Sequence, residues 1–369
     1  MSSQPGDRPR ILVLIKGLGI GGAERLIADA APLWDQQRFH FRVAYILPWK
    51  DHLVASIAAS GIEVDCIGSK RGIGPVAWLG LRRLIRDWGP ALIHAHLPSA
   101  GILARLSGSV PVVYTEHNIA TSYRQPTRSL NELTYRLNRV VVAVSDAVAE
   151  SLSGYPGPEP RVIPNGITFE VEPGQVDAVR GELGVGEETR LVVHVGNIRP
   201  HKGHQNLIAA TRRIVSRADD VLVVSVGAEK HEGDLARVRA AAEAEGVSDY
   251  IRFVGRREDA RAFLAAADVV VNPADYEGLP LAVLEALSLH KPVVATAVGG
   301  VPSVVVDGVT GRLVPPGDPE ALARGVIEAL SSPVATEWGA AGAELVSRDH
   351  GIEQMIRQYE KVYEEVLGA

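Results

Sequence analysis

One cysteine, Cys66, stands among 369 residues, so no disulfide can form within the chain, and no Cys/His cluster has the spacing of a zinc site. A reducing compartment fits. Long apolar runs are missing too: Met1 to Arg10 is polar, and Ile11 to Ile15 is far shorter than a signal's apolar stretch or a membrane span. The expectation is a cytoplasmic chain that crosses no bilayer. No repeat of solenoid length is visible and no Asp-x-Asp pair occurs, so neither a repeat array nor that metal spacing is expected.

Charge is modest but uneven. The net value is −6, with 18 basic and 15 acidic residues up to Glu172, against 20 basic and 29 acidic beyond it. The halves therefore carry +3 and −9, so the first could face an anionic membrane or acceptor, or show ordinary surface variation. No nucleic-acid partner is expected.

What is present reads as two α/β domains, since the length exceeds one ordinary core and apolar residues reach 46%. Strand patterns run over Ile11–Lys16, Phe41–Leu47, Ile62–Ile67, Ala91–Ala95, Pro111–Thr115 and Val140–Ser145, with helical patterns between. Val76–Asp87 predicts a helix with Trp78, Leu79, Leu81, Leu84 and Ile85 on one broad face. Prolines and glycines crowd Gly154–Gly174, which reads as a connection, and the rhythm restarts at Arg190–Val195, Val221–Val226, Ile251–Val254, Val269–Asn272 and Pro292–Thr296. The expected domains are 1–170 and 171–348, followed by an amphipathic helix in 349–369.

Three motifs carry chemistry. Gly17, Gly19 and Gly22 fit the G-x-G-x-x-G dinucleotide fingerprint, but the second strand ends in Leu-Pro-Trp without the acidic residue a ribose needs. A phosphate or sugar contact through the backbone amides at a helix start and a plain tight turn both remain. The second motif, Gly196-Asn-Ile-Arg199-Pro-His-Lys202-Gly203, holds two long cations just past a strand's end, where a diphosphate leaving group could be neutralised without a metal. Third, Glu277-Gly-Leu-Pro-Leu-Ala-Val-Leu-Glu285 brackets a helix start. Gly278 and the amides of Leu279, Leu281 and Ala282 could face a phosphate, and the carboxylates suit sugar hydroxyls. Asp275 with Glu277 could suggest a metal, but the pair is better explained inside this longer motif. Surface cations and a dipole-stabilising Glu277 are the plain alternatives.

Together these residues resemble family 4 of the retaining glycosyltransferases, whose fold is called GT-B. The resemblance also rests on Thr115-Glu-His117, Val144-Ser145, Pro164-Asn-Gly166, Gly299-Gly300 and Asp307-Gly-Val-Thr-Gly311. It implies two facing Rossmann-like domains with a deep cleft, the first binding the acceptor, the second the nucleotide sugar, and a final helix crossing back onto the first. It implies that Arg199 and Lys202 hold the diphosphate, Glu285 the ribose and Glu277 the donor sugar, with His117 beside the sugar and Gly21 or Gly22 approaching the donor. Ser303 departs from the family's usual glutamate. Retention of configuration, no metal or other cofactor, and a UDP-sugar donor follow as expectations. The acceptor, a glycan, lipid-linked or small molecule, would meet Glu116, Asn118, Tyr123, Arg124 and Arg128. A role in cell-envelope polysaccharide or glycoconjugate synthesis is expected. The rivals are a sugar-nucleotide epimerase or phosphorylase of the same architecture, or a non-catalytic nucleotide-sugar-binding protein.

Overall fold

The computed structural model describes residues 8–70, 74–108, 110–168, 174–218 and 220–368. The junction expected at residue 170 lies outside the described residues. Two compact units emerge, one of Met1–Gly166 with Ile352–Ala369, the other of Ile167–Gly351.

In the first unit, β1 (Arg10–Ile15), β2 (His40–Tyr45), β3 (Glu63–Cys66), β4 (Leu92–His96), β5 (Val112–Glu116), β6 (Val140–Ala143) and β7 (Pro160–Val162) form one sheet. Its order is β3-β2-β1-β4-β5-β6-β7, and every pair is parallel. The second unit sets β8 (Arg190–Val195), β9 (Val221–Val226), β10 (Ile251–Gly255), β11 (Val269–Asn272), β12 (Val293–Thr296) and β13 (Arg312–Val314) in the order β10-β9-β8-β11-β12-β13, again parallel. Central strands such as Ile11–Ile15 and Val269–Asn272 are buried throughout, because helices cover both faces of a parallel sheet. Two strands escaped the sequence pattern. β7 and β13 are edge strands of three residues, and β7 begins with a proline, which an edge tolerates because one side of its ladder is unpaired.

The helix expected at 76–87 runs over Pro75–Trp88 and stops at Gly89, whose φ of 62° suits glycine. It buries Ala77, Leu81, Leu84 and Trp88, a single stripe at 3.6-residue spacing, while Leu79 falls outside that stripe and stays 58% exposed. The final helix, Ile352–Leu367, belongs to the first unit. It buries Met355, Ile356, Tyr359, Val362 and Tyr363, and burying each large side chain contributes about 1.5–3 kcal/mol. Among the described residues, no helix is long and apolar enough to cross a membrane.

In both sheets the strand order reverses once, between β1 and β4 and between β8 and β11. Ligands of open α/β sheets bind outside the carboxyl ends of the strands at such a reversal.

Candidate active site

In the second unit, the loop after β8 and the loop after β11 flank that reversal. The first carries Gly196, Arg199 and Lys202, the second Glu277 and Gly278, so the motifs meet at one sheet edge although they lie far apart in sequence. Backbone contacts fix them together. Gly203, at φ 70°, lies so close to Pro273 that an added Cβ would fall 1.8 Å from its carbonyl oxygen. Asp275 N–H donates to the His201 carbonyl at 2.8 Å, and the His201 ring stacks on Tyr276 with centroids 4.5 Å apart. On the other side, Gly299 at φ 53° leaves no room for a side chain against the Glu277 carbonyl, and Gly300 N–H donates to Gly278 O at 2.6 Å. At the β8 end, Gly196 packs its Cα face toward His194, and Asn197 accepts a hydrogen bond from Ala228 N–H at 3.0 Å.

Side chains complete the arrangement. Lys202 Nζ donates to Glu277 Oε1 at 2.6 Å, with Glu277 only 8% exposed. Nε of Arg199 is buried and makes no hydrogen bond among the described residues. Such a cationic donor is costly to leave unmatched, and an anion at this loop could match it. Neighbouring histidines report the same field. His201 is pushed down to about 4 by burial and then by Lys202, Arg199 and Lys230, and His204 to about 4 by burial and then by Lys202. His194 is also lowered, by burial first and His204 next. All three are neutral at pH 7.

Pro280 is the N-cap of the helix Leu281–Ser288, just before the first turn expected for it. Leu281 and Ala282 open this helix, where no earlier helical carbonyl is available to their N–H groups, and Leu279 is buried immediately ahead. Glu285, one turn inside, pairs through Oε1 with Arg261 Nε at 2.8 Å, and Arg261 also donates to Thr168 Oγ1 at 2.8 Å. The sequence motif gave no sign of Arg261. Ser303, at the departure from the family pattern, donates its hydroxyl to Gly300 O at 2.7 Å. Among the described residues, no group of three or more His, Cys, Asp or Glu side chains is placed to hold a metal ion.

In the first unit, the loop after β1 leads to Gly21, the N-cap of the helix Gly22–Ala30, and Leu18 N–H donates to Lys50 O at 2.7 Å. Gly21 has an ordinary extended backbone, and a Cβ there would meet only the flexible end of Glu24. His117 follows β5, is 8% exposed, and shares a hydrogen bond of 3.0 Å between its Nε2 and Nδ1 of His96. Burial lowers it to about 4, so it too is neutral. Next to it, His94 joins Tyr363 at 2.6 Å and Thr115 at 2.8 Å, as a structural histidine does.

Glu116 requires correction: it is not placed to contact an acceptor. It has no exposed surface, and its carboxylate accepts from the hydroxyls of Tyr114 and Tyr123, each at 2.5 Å, and from the amides of His117 and Asn118 at 3.0 and 3.2 Å. Burial pushes its carboxyl above the ordinary glutamate range despite these donors. Asn118 Nδ2 donates to the Tyr123 hydroxyl at 3.0 Å, so both side chains serve this anchor. Arg124 is exposed, and Arg128 is half-buried with the Tyr155 hydroxyl as a partner.

Comparison with known proteins agrees with this geometry. A model described as "Glycosyl transferases group 1" matches residues 175–344, and one described as "Glycosyltransferase Family 4" matches residues 20–171. The alpha-maltose-1-phosphate synthase of Mycolicibacterium smegmatis is 34% identical over 308 residues, 73% of this chain and 79% of that protein. The D-inositol 3-phosphate glycosyltransferase of Segniliparus rotundus is 31% identical over 77% of this chain and 65% of its own length. In fold, the crystal structure of Anabaena Alr3699/HepE in complex with UDP and glucose matches with a TM-score of 0.87, covering 97% of this chain and all of that one at 21% identity. A parallel α/β pair with its cationic loop at the strand reversal, matched in both halves by these models, belongs to the family 4, group 1 glycosyltransferases of GT-B fold.

Proposed function

We propose that this chain transfers a hexose or N-acetylhexosamine from a UDP-sugar to a glycan, lipid-linked or small-molecule acceptor, retaining the anomeric configuration and using no metal. The observation that supports it most is the buried, unmatched Arg199 Nε beside the Lys202–Glu277 pair. As the bond between sugar and diphosphate breaks, negative charge grows on the leaving group, and two fixed cations stabilise that charge more than they stabilise the intact donor. The leading amides of the helix Leu281–Ser288 add a positive dipole end. Glu277 can accept from a sugar hydroxyl with its second oxygen, and Glu285, held by Arg261, can receive the ribose.

His117, neutral at pH 7, serves as a hydrogen-bonding contact rather than a proton donor. The departing phosphate takes the acceptor's proton, so front-face attack needs no protein base. UDP is favoured because HepE was solved with UDP, and a role in cell-envelope polysaccharide or glycoconjugate synthesis suits such acceptors. The first unit binds the acceptor.

Incubation with UDP-sugars and GDP-sugars, with and without candidate acceptors, tests the reading by product NMR. An α-configured product from an α-linked UDP-sugar, formed only with acceptor and insensitive to EDTA, is expected. A sugar altered without acceptor would identify an epimerase, and binding without turnover a sensor.

A further inference from the structure

The helix Thr127–Thr134 and the short 3-10 turn Tyr135–Leu137 after it are patterned the wrong way round for a soluble protein. Their inward side is polar: Asn131, Thr134 and Asn138 are between 1% and 6% exposed. These side chains close around Arg105, itself 5% exposed, which donates to Asn138 Oδ1 at 2.8 Å, Asn131 Oδ1 at 3.0 Å and Thr134 Oγ1 at 2.8 Å. The guanidinium also lies over the Tyr114 ring at 4.5 Å, so Nε and Nη1 of this buried charge are matched and only Nη2 has no hydrogen-bond partner among the described residues.

The outward side is apolar. Leu130, Leu133 and Leu137 are 42%, 67% and 51% exposed, at a spacing of three and four that puts them along one side of the helix. Serine, lysine or glutamate at these positions would leave the Arg105 network intact, so the fold does not call for leucine there. Exposed leucines in a row mark a contact surface.

Charge identifies the partner. Between Arg124 and Arg139 the chain has four arginines and one acid, Glu132. Arg124, Arg136 and Arg139 are exposed around the leucines, while the local tyrosine, Tyr135, is 1% exposed and turned inward. Protein interfaces concentrate aromatic residues at their centre and exclude charge from it. A short aliphatic stripe rimmed by arginines instead matches a helix lying in the headgroup plane of an anionic bilayer, and eleven residues are too few to span one. We propose that this face docks the chain onto an anionic lipid surface. It uses none of the groups assigned to the donor.

Vesicle flotation of the full chain, without donor or acceptor, tests this independently of catalysis. Binding to mixed phosphatidylcholine and phosphatidylglycerol vesicles, weakened by salt and absent with phosphatidylcholine alone, is expected. Leu133→Ser with Leu137→Ser, and separately Arg136→Gln with Arg139→Gln, should each lower partitioning by about tenfold or more at an unchanged Tm. Equal retention on neutral vesicles, or wild-type binding by the leucine variant, would overturn the proposal. So would sedimentation showing a dimer that the leucine substitutions dissolve, since the occupant would then be a second copy.

Discussion

Two buried glutamates sit beside strand ends, one in each unit, and their surroundings are opposite. Glu116 has no exposed surface and four hydrogen-bond donors, all from its own loop or strand. Glu277 is 8% exposed and pairs with one partly exposed cation, Lys202, beside an arginine nitrogen with no partner. A saturated carboxylate can only hold its neighbours in place. An incompletely matched one, next to spare positive charge, is arranged for something that arrives.

The largest test of this contrast is Arg199→Ala with Lys202→Ala. Turnover should fall on the order of a thousandfold while Tm stays near wild type, because the loop's cations act on the reaction and not on the core. Turnover close to wild type would remove the distinction.

The histidines sharpen it further. His117 is lowered to about 4 by burial alone, whereas His201 reaches about 4 through burial plus the field of Lys202, Arg199 and Lys230. In an NMR titration the double variant should raise the His201 value and leave His117 in place. Linkage follows the same direction: with folded values below the ordinary 6.5, the unfolded state binds more protons between pH 6.5 and 4, so stability drops as pH falls through that window. His117, His201 and His204 together should cost on the order of a few kcal/mol, partly offset by Glu116, whose raised carboxyl favours the folded state at low pH. Urea titrations across that range would expose a flat profile if the burial were wrong.

Next, Glu277→Gln should reduce turnover about a hundredfold with little change in Tm, and Glu116→Gln should lose about 1–3 kcal/mol of stability by leaving donors facing an amide. Similar stability losses in both would erase the contrast. Smallest, Tyr123→Phe removes one of the four donors to Glu116 and should cost about 1 kcal/mol in a urea titration. No measurable change would mean that the hydroxyl is satisfied equally well by water.

Much of the fold was legible because parallel strands buried on both faces read as apolar runs, and all eleven expected strands overlap observed ones. β7 and β13 were not, since an edge strand of three residues needs no such run. The loops after β8 and β11 were legible as motifs because glycines at Gly203 and Gly299 answer backbone contacts that nothing else fits. Glu116 was misread since a charged residue at a strand's end looks available; Tyr114 stands two residues before it on β5, and only the folding of the following loop brings Tyr123 onto it. Arg261 stayed hidden for the same reason: its pairing with Glu285 joins two helices, and neither sequence stretch marks the other.

The measurement closest to the central claim is calorimetric titration of UDP and uridine into wild type and into the Arg199→Ala, Lys202→Ala variant. Wild type should prefer UDP strongly over uridine, and the variant should lose most of that preference while still folding. A variant that binds UDP as tightly as wild type would show that the diphosphate is held elsewhere.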